Sequence, residues 1–262
     1  MTRLYFKNTV YARVLLQKQI SHILFRNNKT NLFSEVKEEL KMATSVVVDV
    51  SGQFACFTKP YAKVERITYD VPTPSACRGI LEAIYYKPSE FYYQIKKIEV
   101  MNPIKYLSVK RNEVYLKVTD GSPINVRESN TQRNTIYLKN VRYRIHADII
   151  KFDSCEERVT ETSLANQFNR RVKSGKCFYQ PFLGMKECMA FFEEADKTIQ
   201  PLQESQDFGI MLYDNFDIRT TVPLNTKTHE GKIVRSFYHA EMINGVIVVP
   251  EYTSEEVWKT NA

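Results

Sequence analysis

Few residues in this chain could do chemistry, and the spacing of the metal-ligand types argues against a metal centre. The four histidines, His22, His146, His229 and His239, stand far apart without ligand spacing. Cys56, Cys77, Cys155, Cys177 and Cys188 are odd in number and include no C-x-x-C pair. That suits reduced thiols in a cytoplasmic protein better than a disulfide framework or a zinc site. Neither G-x-x-x-x-G-K-[ST] nor G-x-G-x-x-G occurs, so no nucleotide or other small-molecule cofactor is expected. What remains is metal-free acid–base chemistry. RNA is a polymer that admits it, because its own 2′-hydroxyl can attack the adjacent phosphate. An enzyme then needs a base near that hydroxyl, a donor to the leaving oxygen and cations for the phosphorane charge. Tyr85, beside Tyr86 and Lys87, could handle a proton or position a nucleotide; it could equally be a half-buried tyrosine packed on a sheet. His146 is the one histidine flanked by several basic residues and titrates near neutrality, so it could act as acid or base, or be a surface histidine.

The charge pattern points the same way. The net charge is +7 over 262 residues, but the first 41 hold eight Lys/Arg against three Glu, so the rest is nearly balanced. Local asymmetry matters more. Lys96, Lys97, Lys105, Lys110 and Arg111 face one acid over 96–111, and Arg158, Arg170, Arg171, Lys173 and Lys176 face one over 158–176. Residues 187–217 hold eight acids and one base. Basic patches with an acidic far side suit a polyanion partner, or ordinary solvated faces. Arg170, Arg171 and Lys173 could bind phosphate or complement a helix C-terminus. Gly184, in Phe182-Leu183-Gly184-Met185-Lys186, could let backbone amides approach a phosphate.

The elements that must position these residues are legible in outline. Hydrophobic residues make up 43% and aromatics 12% of the chain, enough for a real core, and no run approaches the length of a membrane span. Ser45-Val46-Val47-Val48-Asp49-Val50 reads as a strand closed by Ser51-Gly52. Thr73-Pro74-Ser75 starts a helix that runs to about Tyr86 and stops before Pro88. Tyr93 to Val100 reads as a strand, and 110–134 as a mobile hairpin or loop with Asp120-Gly121 as its turn. Ile136 to Ile149 alternates, with a phase slip at Lys139-Asn140 that suggests a bulge. Residues 161–174 form a second helix stopped by Gly175, and Phe178 to Phe192 reads as a strand interrupted by Pro181 and Gly184. The order β-α-β…β-α-β is the split βαβ arrangement, giving an α+β class and a ferredoxin-like (RRM-like) domain over 42–204. Residues 205–262 read as a small antiparallel β domain, with Asn244-Gly245 as a hairpin turn. Residues 1–41 are an upstream addition before Met42, a helical extension that contacts RNA or a partner, or a targeting peptide.

Ordered segments across about residues 45–250 resemble the CRISPR-associated RAMP proteins of the fifth Cas family, subtype I-C. They include Gly52-Gln53-Phe54-Ala55-Cys56-Phe57, Lys63-Val64-Glu65-Arg66-Ile67-Thr68-Tyr69, Arg78 through Pro88, Lys110-Arg111-Asn112-Glu113-Val114, Phe168-Asn169-Arg170-Arg171 and Pro181-Phe182-Leu183-Gly184. The resemblance implies a metal-independent endoribonuclease that cuts CRISPR repeat RNA near the base of its hairpin. It implies that the protein then stays on the 5′ handle of the guide RNA beside the backbone-forming and large subunits of a Cascade complex. It also implies a catalytic aromatic at Tyr85. By charge and placement, Lys63, Arg66, Lys87, Lys110, Arg111, Arg170, Arg171, Lys173 and Gly184 are the candidate RNA-binding residues, and His146, Lys173 or a residue of the 110–134 loop could act as the catalytic partner of Tyr85. The Lys and the His or Tyr that the resemblance implies before the second helix are Ser163 and Leu164 here. Neither can serve as cation or base, so an alternative expectation is a catalytically impaired, structural crRNA-binding subunit.

Overall fold

A run of β-branched residues needs strand partners on both sides, and the computed structural model supplies them. The structure describes residues 44–62, 64–116, 123–219 and 235–260. The expectations for residues 1–41, for Lys63 and for the Asp120-Gly121 turn lie outside these. β1 (Ser45–Ala55) lies between β4 (Asn130–Lys151) and β5 (Phe191–Glu194), antiparallel to both. β2 (Phe91–Val100) pairs antiparallel with the other edge of β4, giving the order β5-β1-β4-β2. β1 and β2 thus run parallel with β4 between them, joined through α1 (Pro74–Ile84). β4 and β5 run parallel with β1 between them, joined through α2 (Glu161–Lys173). Two interlocked split βαβ units make the fold ferredoxin-like.

Both helices begin where the side chains dictate. The Thr73 hydroxyl accepts from the Ala76 amide at 3.2 Å, with Pro74 at the first helical position. Thr160 caps α2 through the Ser163 amide at 3.2 Å, and Gly175, at φ 64, follows its end. Tyr143, Ile145, Ala147 and Ile149 of β4 are buried, and form one core with Ile80, Leu81 and Ile84 of α1 and Leu164 and Phe168 of α2. The other face of this sheet is charged. There Asp49 is 1% exposed and accepts from Arg144 at 2.6 and 3.0 Å and from Arg142 at 3.2 Å.

β3 (Tyr106–Val114) pairs along the first part of β4, from Val114↔Asn130 to Tyr106↔Leu138. Residues 110–114 and 130–134 of the polar stretch are therefore regular ribbon, with both faces largely open. β6 (Gln206–Asp214), β7 (Arg235–Ile243), β8 (Val246–Val248) and β9 (Trp258–Thr260) form the C-terminal β unit. β8 pairs with Lys97–Glu99 of β2, so the sheet continues as β2-β8-β7-β6. Asn244 and Gly245 both adopt positive φ, 50 and 76, as the tight turn between β7 and β8 demands.

Two local expectations need correction. The stretch 178–192 is strand only from Phe191; Pro181 and the left-handed Gly184 (φ 83) keep the rest a loop, tied to β1 by the Cys56 amide on the Leu183 carbonyl at 3.0 Å. The slip at Lys139-Asn140 is a left-handed residue, Asn140 (φ 52), with the β1 register the same on either side of it; the register shift against β4 falls in β2, between Ile95 and Lys97. Among the described residues no helix is long and apolar enough to cross a membrane.

Candidate active site

α1 ends at Ile84, and Tyr85 turns to extended backbone (φ −148, ψ 118) ahead of Pro88. The Tyr85 ring is buried against Phe91 at 5.5 Å between centroids, and the Tyr93 phenol donates to the Tyr85 carbonyl at 2.7 Å. Arg171, in the last turn of α2, donates to the Ile84 carbonyl at 3.0 Å, and its guanidinium carbon lies 5.4 Å from the Tyr85 ring centroid. The Lys87 charge acts on the Tyr85 phenol, and its ammonium is held by Glu90 at 2.7 and 2.9 Å. The ends of the two helices thus bring one phenol and two cations together.

Burial pushes the Tyr85 phenol above its ordinary pKa, although the Lys87 and Arg171 charges oppose this. The phenol therefore stays protonated at neutral pH and is a donor. The Glu90 carboxylate raises the Lys87 pKa, so the ammonium stays charged. A protonated phenol can donate to a leaving oxygen, and two nearby cations can balance charge on a phosphorane.

His146 does not join this cluster. It alternates with the inward Ile145 and Ala147 and lies on the charged face of the sheet, across from the helices. There its Nε2 is 3.0 Å from Glu99 Oε1. Burial and the nearby Lys97 ammonium lower its pKa, so at neutral pH it is uncharged. The strand's own alternation carried this information: Tyr143, Ile145 and Ala147 point inward, so His146 cannot.

The family model described as CRISPR-associated protein (Cas_Cas5) matches residues 45–250. The chain belongs to this family. Among curated relatives, the CRISPR pre-crRNA endoribonuclease Cas5d of Mannheimia succiniciproducens is 35% identical over 237 residues, covering 82% of this chain and 99% of the relative. The protein of the same name from Thermus thermophilus is 33% identical over 219 residues, covering 81% and 94%. A crystal structure of a CRISPR-associated protein matches with a TM-score of 0.57 and 25% identity, covering 82% of this chain and 96% of that one. A functionally uncharacterized protein from Streptococcus mutans, 23% identical with a TM-score of 0.57 over the same shares, has a similar fold.

The remaining candidate residues are spread over the molecule. Ser163 is exposed in the first turn of α2 and occupied with the Thr160 cap, and Leu164 is buried in the core. Arg66 sits at φ 46 and pairs with Glu113; Arg111 pairs with Glu187 and donates to the Tyr137 phenol at 2.6 Å. Lys110 is exposed on the β3–β4 ribbon, and Arg170 and Lys173 are exposed on the last turn of α2. Gly184 is not an open phosphate cradle. A Cβ there would collide with the Cys56 carbonyl oxygen, so the glycine serves a close backbone approach just after β1. Sequence reasoning missed Glu90, which aims Lys87, and Phe178 and Tyr179, whose amides donate to the Ala83 carbonyl at 2.7 and 3.2 Å. The adjacent aromatics after Gly175 were the available signal.

Proposed function

We propose that this protein is a metal-independent endoribonuclease that cuts CRISPR repeat RNA near the base of its hairpin. It then remains on the 5′ handle of the guide RNA within a Cascade-type complex. The observation that carries the reading is a protonated Tyr85 phenol on which the Lys87 and Arg171 charges act, with the Arg171 guanidinium 5.4 Å from its ring. In the step this supports, the 2′-oxygen attacks phosphorus and the P–O5′ bond breaks. Tyr85 donates its proton to the departing 5′-oxygen, and the 2′-hydroxyl proton passes to solvent water. Lys87 and Arg171 balance the phosphorane charge, in the role that Ser163 cannot fill. The products are a 2′,3′-cyclic phosphate and a 5′-hydroxyl. Lys110, Arg170 and Lys173, exposed on the ribbon and on α2, supply phosphate contacts, so binding weakens with salt.

Incubation of the full chain with the hairpin repeat RNA of its own locus, in EDTA, tests the proposal. Cleavage that persists and leaves a cyclic phosphate is expected; cleavage that stops with EDTA, or a 5′-phosphate product, contradicts it. The burial of Leu164 and the capping role of Ser163 favour a second reading, a handle-binding subunit without activity. Tight binding with no cleavage would establish that one.

A further inference from the structure

Gly79 occupies the interior of α1, where glycine costs helix stability relative to alanine. Packing does not demand it: a Cβ at Gly79 would find nothing within 4 Å, whereas those at Gly52, Gly184 and Gly245 would collide with neighbours. The space above it is a groove of about 380 Å³ that runs along α1. Tyr179 and Phe182 stand on its wall, and Arg78 and Glu82 line it. Arg78 is held by Asp214, from Nε to Oδ2 at 2.9 Å, and pairs with Glu82, so a polar, nearly dry pair sits among aromatic walls. The groove reaches the last turn of α1 at Glu82, three residues before Tyr85. Tyr179 is tied to the carbonyl of Ala83, and Gly79 precedes Tyr85 by about 9 Å of helix. Tyr86, next to Tyr85, feels the charges of Glu82 and Arg78.

We propose that this groove is a nucleobase subsite, which takes the unpaired base of a nucleotide flanking the scissile phosphate. The inference rests on the ribonuclease reading above. A base is flat, stacks on aromatic side chains whatever its identity, and presents donors and acceptors at its edge. Gly79 leaves the helix backbone bare so that the ring can lie against it. Tyr179 and Phe182 give it stacking surface, and Arg78 and Glu82 meet its polar edge.

The test uses the full-length protein and the hairpin repeat RNA carrying a 2′-deoxy nucleotide at the cut, which permits binding without cleavage. A second RNA is abasic at the nucleotides on either side of the cut. The wild type should bind the intact RNA about ten-fold more tightly than the abasic one, the scale of one lost stacked base. Gly79→Leu should fold with an unchanged or raised thermal midpoint, bind the intact RNA about ten-fold more weakly than wild type, and lose the preference for a base. A Gly79→Leu protein that keeps the wild-type preference overturns the subsite. So does a wild type that cuts the all-ribose RNA yet binds the intact and abasic RNAs equally, a result that leaves the nuclease reading standing. A wild type that neither binds nor cuts the repeat RNA overturns both.

Discussion

Replacing Lys87 by Met removes one of the two cations placed at Tyr85 while keeping the length of the side chain. The Lys87 side chain is 44% exposed, so water screens its charge, and the effect belongs at the lower end of what one electrostatic donor contributes to a transition state, about 10²-fold in rate. Stability should barely respond, because the exposed pair with Glu90 contributes at most about 1 kcal/mol. The assay is single-turnover cleavage of the repeat RNA at saturating protein, with a thermal melt of each variant. Lys87→Met should cut about a hundred-fold more slowly at a nearly unchanged melting temperature, and Lys87→Arg should recover most of the rate. A Lys87→Met protein that cuts at the wild-type rate would refute the assignment of the phosphorane cation and return attention to residues elsewhere on α2.

Other outcomes follow from the same geometry. His146→Ala should leave cleavage unchanged, because His146 lies across the sheet from Tyr85; a large loss of single-turnover rate would contradict that separation. Asp49→Ala removes the nearest carboxylate of the buried Arg144, leaving it Glu99 and two backbone carbonyls, and should cost about 3 kcal/mol in urea unfolding. Burial raises the Asp49 pKa, but the hydrogen bonds from Arg144 and Arg142 outweigh it, so the folded value is lowered. The stability that Asp49 contributes is therefore complete above the ordinary aspartate range and is lost as pH falls through the folded value; the wild type should destabilise there more steeply than Asp49→Ala. Gly184→Ala puts a Cβ on the Cys56 carbonyl at a positive φ and should cost about 2 kcal/mol, read by the same unfolding curve.

Much of the frame was legible because local rules and tertiary packing agree. Thr73-Pro74 starts α1, Thr160 and Gly175 bracket α2, and Asn244-Gly245 turns the last hairpin, each by its own backbone chemistry. The β3–β4 ribbon was harder to see as regular strand, because with both faces largely exposed no hydrophobic alternation marks it. The 178–192 stretch misled for the opposite reason: its apolar residues serve a loop packed against β1, not a ladder. In the site, Tyr85 and Lys87 were visible as near neighbours, while Arg171 reaches them only because the last turns of α1 and α2 meet. Pairing His146 with Tyr85 failed because strand alternation assigns them to opposite faces, a constraint stronger than shared chemistry.

The central claim is that the Tyr85 phenol gives its proton to the leaving oxygen. Tyr85→Phe keeps the ring against Phe91 and Arg171 and removes only that hydroxyl. Single-turnover cleavage of the repeat RNA in EDTA should fall by about 10²-fold or more while binding of the 2′-deoxy RNA is unchanged. Cleavage by Tyr85→Phe at the wild-type rate would contradict the account.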